Sequence, residues 1–410
     1  MASPSQTELE RLKARYDAIF EGLSPPFAFV DLDAMRSNGA KLAEQASPLP
    51  IRLASKSIRS LPVLRRIFEL DERFKGILSF TLPEALHLAR TGYDDVFVGY
   101  PTADRRALSE LAALAAEQPD THPALMVDEV AHLDLIESAA GRGRTPIRVA
   151  IDIDPSWWPA RGRLARIGPK RSPIRTAAQA GRLAAEIVER PGTRLVGAMA
   201  YEGHIAGVGD DVAGKPLRSA AIRAMQSRSH DELAARLPGV VAAIRDAAGA
   251  ELEWVNAGGT GSLARSKALE IATELTAGSG FYAPGLFDSY RSLDLTPAAF
   301  FCLPVTRRPH AGVATALGGG YIASGAPGRD RLPLPWLPPG LSLDSDEAAG
   351  EVQTPLVGAA AKKLRVGDRI YMRHAKAGEL CERFDSLYLV EGDAVVDQAA
   401  TYRGDGLTFL

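Results

Sequence analysis

Between residue 51 and about residue 277, short apolar or β-branched runs alternate with longer stretches whose apolar positions recur every three to four residues. This pattern predicts strands at 51–55, 76–80, 95–99, 124–127, 147–152, 195–200 and 253–256, with a weaker one at 271–275. Residues 104–117, 129–140, 176–188 and 232–248, rich in Ala, Leu and Glu, read as amphipathic helices between them. Eight strands, each followed by a helix or helical turn, predict a closed parallel α/β barrel spanning about 230 residues. Strand count alone is shared with an open doubly wound sheet.

The texture changes after about residue 292. Gly and Pro become frequent, at 317–320 and 332–340, and short alternating runs follow at 369–373, 386–390 and 394–396. These predict a separate β-rich domain. The proline-laden stretch 333–339 reads as an ordered surface loop or lid. Residues 7–22 read as one amphipathic helix ahead of the barrel. The expected organisation is an N-terminal helical segment at 1–25, the (β/α)8 barrel at 26–291 and the β-rich C-terminal domain at 292–410.

Composition changes this picture little. Hydrophobic residues are 46% of 410, ample for a large core. Lys+Arg number 48 against Asp+Glu 50, a net charge of -2, without the basic excess of a general nucleic-acid or membrane-surface binder. A small molecule is the expected partner. Two cysteines, Cys302 and Cys381, exclude a disulfide scaffold and fit a reducing cytosol. The polar, charged N-terminus has no apolar signal core, and no apolar run approaches a membrane span of about 20 residues. A cytoplasmic location is the expectation.

The most informative stretch ends an extended run in Asp31-Leu32-Asp33 and starts a helix there. About twenty residues on, Ile51-Arg52-Leu53-Ala54-Ser55 delivers Lys56 to the C-terminal end of a strand. In a parallel barrel that end carries the active site, and a partly desolvated lysine there can condense with an aldehyde. Asp31 and Asp33 read as orienting groups. Asp152 closes the fifth strand, as a pocket residue or a helix cap.

This pair of elements resembles the N-terminal signature of the fold-type III pyridoxal-phosphate (PLP) enzymes, the alanine racemase-like barrel superfamily. Within it the chain resembles the D-threonine aldolase and D-serine dehydratase-like branch. The resemblance continues in order through Phe80-Thr81-Leu82-Pro83-Glu84-Ala85 and Val98-Gly99-Tyr100-Pro101. It runs on through Tyr201-Glu202-Gly203-His204, Asn256-Ala257-Gly258-Gly259-Thr260, and the stretch from Glu274 to Tyr282. It implies that Lys56 carries PLP as a Schiff base. The phosphate would lie against Gly258, Gly259 and Thr260 after the seventh strand and against Gly278, Ser279 and Gly280 after the eighth. Glycines allow backbone to approach a phosphate closely, and Thr260 and Ser279 add hydroxyls. The resemblance further implies that Tyr201 and His204 contact the cofactor ring and that Arg59 sets the charge around it. Relatives commonly pair, which implies a homodimer.

Enzymes of this branch resemble one another in a divalent metal held by His-x-Asp or His-x-Cys in the small domain. Here His374 stands in the corresponding place, but Lys376 follows two residues on, and an ammonium is no metal ligand. Either Glu379 or Cys381 replaces the missing ligand, or the metal is absent and Lys376 supplies positive charge or binds a substrate carboxylate. The second reading is preferred. Ser57-Ile58 and the stretch 318–325 also depart from the branch. The implied reaction is retro-aldol cleavage or deamination of a β-hydroxy-α-amino acid of D configuration, with Lys56, His204 and His374 as candidates for proton transfer. The alternatives are an amino-acid racemase, using Lys56 and a tyrosine of the β-rich domain on opposite faces of Cα, and a non-catalytic PLP-binding protein.

Overall fold

The computed structural model describes residues 4–141 and 145–410. Its first strand, β1 (Phe27–Asp31), stands apart from the eight that follow. These are β2 (Ile51–Ala54), β3 (Phe74–Ser79), β4 (Val96–Val98), β5 (Ala124–Val127), β6 (Ile147–Asp152), β7 (Thr193–Ala200), β8 (Trp254–Ala257) and β9 (Glu274–Ala277). Each pairs in parallel with its successor, and β9 returns to β2 through Ile51↔Leu275 and Leu53↔Ala277, which closes the barrel. The open doubly wound sheet is thereby excluded.

Seven strands lie where the hydrophobic runs place them. The eighth lies later than 271–275, at Glu274–Ala277. Parallel strands buried on both faces read as continuous apolar runs, but Glu274 and Thr276 interrupt this one. Both are buried and serve a polar network inside the barrel. Arg52, 1% exposed, donates from Nε and Nη2 to the Glu274 carboxylate at 2.6 and 2.8 Å. Asn256 donates to Glu274 at 2.8 Å and accepts from Thr276 at 2.9 Å. Phe97, Met126, Ala150, Met199 and Trp254 form the adjoining apolar cluster.

The helix expected at 232–248 runs from Pro216 to Ala248, 33 residues, with Pro238 inside it. Its first half carries Arg, Ser and Gln in place of an apolar stripe, so periodicity alone located only the second half. The helix expected at 7–22 spans Gln6–Ile19, with Ser5 and Glu8 forming a reciprocal capping box.

The remaining strands build a mixed nine-stranded sheet with β1. They are β10 (Ala299–His310), β11 (Val313–Leu317), β12 (Leu334–Leu337), β13 (Ser342–Leu343), β14 (Gln353–Val357), β15 (Arg369–Arg373), β16 (Ser386–Glu391) and β17 (Ala394–Ala400). Although β1 falls within the stretch 26–291, it pairs antiparallel with β10 and parallel with β16. Its Phe27 and Phe29 pack with Tyr16, Phe20, Phe300 and Tyr371 in one aromatic core. The stretch 333–339 is only partly a loop, because β12 pairs with β15.

Contacts group the chain into two units. One holds residues up to Lys41, Ser57–Leu70 and Ser279–Thr408, and the other Leu42–Lys56, Asp71–Gly278 and Phe409–Leu410. No helix among the described residues is long and apolar enough to cross a membrane.

Candidate active site

Because all eight barrel strands run parallel, the turns after them meet at one end. Lys56 follows β2 in a short 3-10 turn, Ser55–Ser57. Its Nζ donates to the Tyr100 hydroxyl at 3.0 Å. Tyr100 follows β4, separated from β2 by β3. Burial acts to raise the Tyr100 phenol, but the charge and hydrogen bond of Lys56, with the charge of Arg171, outweigh it and hold the phenol below its ordinary value. The Arg171 guanidinium lies 5.5 Å from the Tyr100 ring centroid and 5.3 Å from that of Tyr201. Such placements over aromatic faces are favourable for a cation.

Tyr201 follows β7, and burial pushes its phenol up to about 12. Asp152, at the end of β6, is 5% exposed. Burial, then the charges of Asp128 and Asp154, raise its carboxyl to about 8, with Arg171 opposing them. It is therefore largely neutral at neutral pH.

Glu202 builds the turn after β8. Its carboxylate accepts from the Gly258 N–H at 3.3 Å and the Ser262 hydroxyl at 2.8 Å, and it also accepts from Ser266. Gly258 has φ +80°, and Gly259 lies so close to Tyr201 that a Cβ there would stand 3.0 Å from the ring. The Gly259 N–H donates to Ser262 Oγ at 3.2 Å. Both glycine amides are thus engaged within the turn, and what the turn offers is its bare edge beside Tyr201 and the buried Thr260. Gly278, also buried, ends the turn after β9, and Ser279 opens the short helix Ser279–Tyr282.

His204 is buried, with Nε2 against the Ser229 hydroxyl at 2.5 Å. Burial lowers it to about 4, so the ring is neutral at neutral pH, and among the described residues its Nδ1 has no hydrogen-bond partner. This geometry suits a positioning role better than that of a base.

The other candidates belong to the unit that holds Ser279–Thr408. A cavity of about 200 Å³ is lined by Tyr321, Ser324, His374, Lys376, Glu379 and Arg383, among others. Lys376 Nζ donates to Ser324 Oγ at 3.3 Å, and the Ser324 N–H donates to Glu379 at 3.0 Å. The His374 ring stands edge-on to Tyr282, centroids 6.3 Å apart. Cys381 donates to the Ile58 carbonyl at 3.2 Å, and burial pushes its thiol up to about 12, with Arg59 opposing. A protonated, buried thiol is a poor metal ligand. Among the described residues no three His, Cys, Asp or Glu side chains form a metal-holding group. The set His374, Glu379 and Cys381 therefore does not fit a metal. Arg59, at φ +50°, pairs through its guanidinium with Glu382.

The model of the alanine racemase N-terminal domain matches residues 30–283, more than half of the chain. The chain belongs to that family. Among solved structures, D-threonine aldolase from Filomicrobium marinum superposes with a TM-score of 0.74 at 22% identity, covering 93% of this chain and 96% of that one. D-threo-3-hydroxyaspartate dehydratase from Delftia sp. HT23 gives 0.71 at 20% identity, covering 93% and 98%. Alanine racemase from Bacillus anthracis gives 0.59 at 16% identity, covering 93% and 99%. At these identities the likeness is one of fold. No curated protein matches the sequence.

PLP is the cofactor of the family. The barrel end fits such a group. It presents an amine on Lys56, a turn at Gly258–Gly259 that a Cβ would fill, and an orphaned polar nitrogen on buried His204. Sequence reasoning assigned no role to Tyr100 or Arg171. Tyr100 had a usable signal, since it follows its strand as Lys56 follows β2. Arg171 lies far beyond β6 in a long loop, and periodicity says nothing of where such a loop returns.

Proposed function

We propose that this protein is a PLP-dependent lyase acting on β-hydroxy-α-amino acids, with Lys56 holding the cofactor as a Schiff base. The observation that carries this reading is the Lys56 amine hydrogen-bonded to Tyr100 at the C-terminal end of a closed parallel barrel. Bound PLP supplies an electron sink that lets a bond at the substrate Cα break.

The chain's own residues supply the rest. Tyr100 takes and returns a proton at Lys56 Nζ, since its phenol touches the amine and is held below its ordinary value. Tyr201, pressed against Gly259, limits where a flat ring can lie. Glu202 fixes the turn whose Gly259 and Thr260 would receive the phosphate. His204, neutral and tied to Ser229, holds the Tyr201–Gly207 segment in place. The names of the two structural relatives, an aldolase and a dehydratase of β-hydroxy amino acids, support the reaction class.

The test is turnover of D- and L-β-hydroxy amino acids by the PLP-loaded protein. Glycine with aldehyde, or keto acid with ammonia, should form and be abolished in Lys56→Ala. Inversion at Cα without either product pair would replace this reading with the racemase, and no turnover of any such compound would refute it.

A further inference from the structure

The loop between β6 and the helix Ala177–Glu189 carries Arg161, Arg163, Arg166, Lys170, Arg171 and Arg175, and between residues 155 and 175 it holds no acidic residue. In a chain whose net charge is -2, this is a strong local excess. The loop is anchored to the barrel end. The Ser172 hydroxyl donates to the Asp152 carbonyl at 2.6 Å, and the Asp154 N–H donates to the Ile174 carbonyl at 2.8 Å. A bridge between Trp157 and Ile167 folds its first half into a hairpin.

The loop's cations divide in use. Arg175 is consumed by structure, pairing with Glu232 at 2.8 Å and with Asp154 at 3.6 Å. Arg166 stacks on Trp158, 4.3 Å from the ring. Arg171 lies against the rings of Tyr100 and Tyr201, and Tyr100 touches Lys56. Arg161, Arg163, Arg166, Lys170 and Arg171 form no ion pair among the described residues, and all five are exposed. One α-carboxylate is satisfied by a single guanidinium in bidentate geometry. Asp152, which Arg171 faces, keeps its proton at neutral pH, and Asp154 is paired with Arg175. Five exposed cations on one loop at this barrel end exceed the need of one α-carboxylate, and such a local excess of one charge concentrates ligands of the other.

We infer that the barrel mouth is built for an amino acid carrying a second anionic group on its side chain, a carboxylate or a phosphate. Arg171, over the ring of the Tyr100 that Lys56 touches, is the specificity-determining residue, and Arg161, Arg163 and Lys170 supply the outer field. The inference rests on the lyase reading for the amino acid, but the preference for a second anion is measurable without turnover.

The experiment has a binding arm and a turnover arm, both on the PLP-loaded protein. Calorimetry compares succinate with its monoamide, succinamate, neither of which has an amine to react. The dianion should bind at least about tenfold tighter at low salt, and this preference should shrink as salt rises. It should also shrink in Arg171→Gln and in the triple variant Arg161→Gln, Arg163→Gln, Lys170→Gln. In the turnover arm, 3-hydroxyaspartate should exceed 3-hydroxyasparagine in kcat/KM, and the triple variant should lose this ratio while keeping its rate on the neutral amide. A phosphonate of the same length preferred over the carboxylate would assign phosphate, and the reverse order would assign carboxylate. Equal binding of succinate and succinamate, or a preference untouched by both variants, would overturn the inference. A persistent preference for succinate with no turnover of any β-hydroxy amino acid would instead refute the lyase reading and leave the anion preference standing.

Discussion

Lys56 and Tyr100 meet side chain to side chain, amine to phenol at 3.0 Å, across the intervening strand β3. The contact ties two barrel strands together at their C-terminal ends and gives the amine a proton partner. Tyr100→Phe should retain PLP and lose about 10²–10⁴-fold in kcat, the usual range for removing a proton-transfer group. Because the phenol sits below its ordinary value, the limb of the pH–rate profile above neutrality should change shape in the variant. A pH series of kcat on the two proteins checks both points.

Gly259→Ala should weaken cofactor binding more than folding. Its Cβ would stand 3.0 Å from Tyr201 Cε2 and 3.2 Å from Ala206 Cβ, so the tyrosine ring must give way. Overpacking of this kind costs about 1–3 kcal/mol. Titration with PLP and a thermal melt of the unloaded protein separate the two effects.

Glu202→Gln replaces an acceptor that serves Gly258, Ser262 and Ser266 with a group carrying one acceptor and an N–H₂ of its own. At least one buried donor is left unmatched, at a cost of about 1–3 kcal/mol. Urea unfolding should show the loss, and PLP affinity should fall with it.

Asp152 makes stability depend on pH in an identifiable direction. Its folded value of about 8 lies above the ordinary 3.8, so the folded protein keeps a proton that the unfolded chain releases. The contribution is fully present below the unfolded value and is lost as pH rises through the folded one. Stability should therefore decline between about pH 4 and about pH 8, and Asp152→Asn should flatten that part of the curve. Denaturant midpoints of both proteins across this range check it.

Much of the barrel was legible because buried parallel strands write themselves as apolar runs, and Lys56 was legible because it ends one. The eighth strand was displaced in the reading because Glu274 and Thr276 face a buried Arg52 and Asn256, a network that only tertiary pairing creates. β1 lies inside the stretch 26–291 assigned to the barrel domain. Its partners are β10 and β16, more than 250 residues downstream. Tyr100 and Arg171 gained meaning only once closure of the barrel and the return of the loop after β6 brought them to Tyr201 and Lys56. Cys381, plausible as a ligand by spacing, is buried against the Ile58 carbonyl, which spacing could not reveal.

The most direct test of the account is reduction of the PLP-loaded protein with borohydride, followed by peptide mapping. A pyridoxyl group fixed on Lys56, and its absence in Lys56→Ala, is the expected result. A label on another lysine, or none at all in protein that binds PLP, would contradict it.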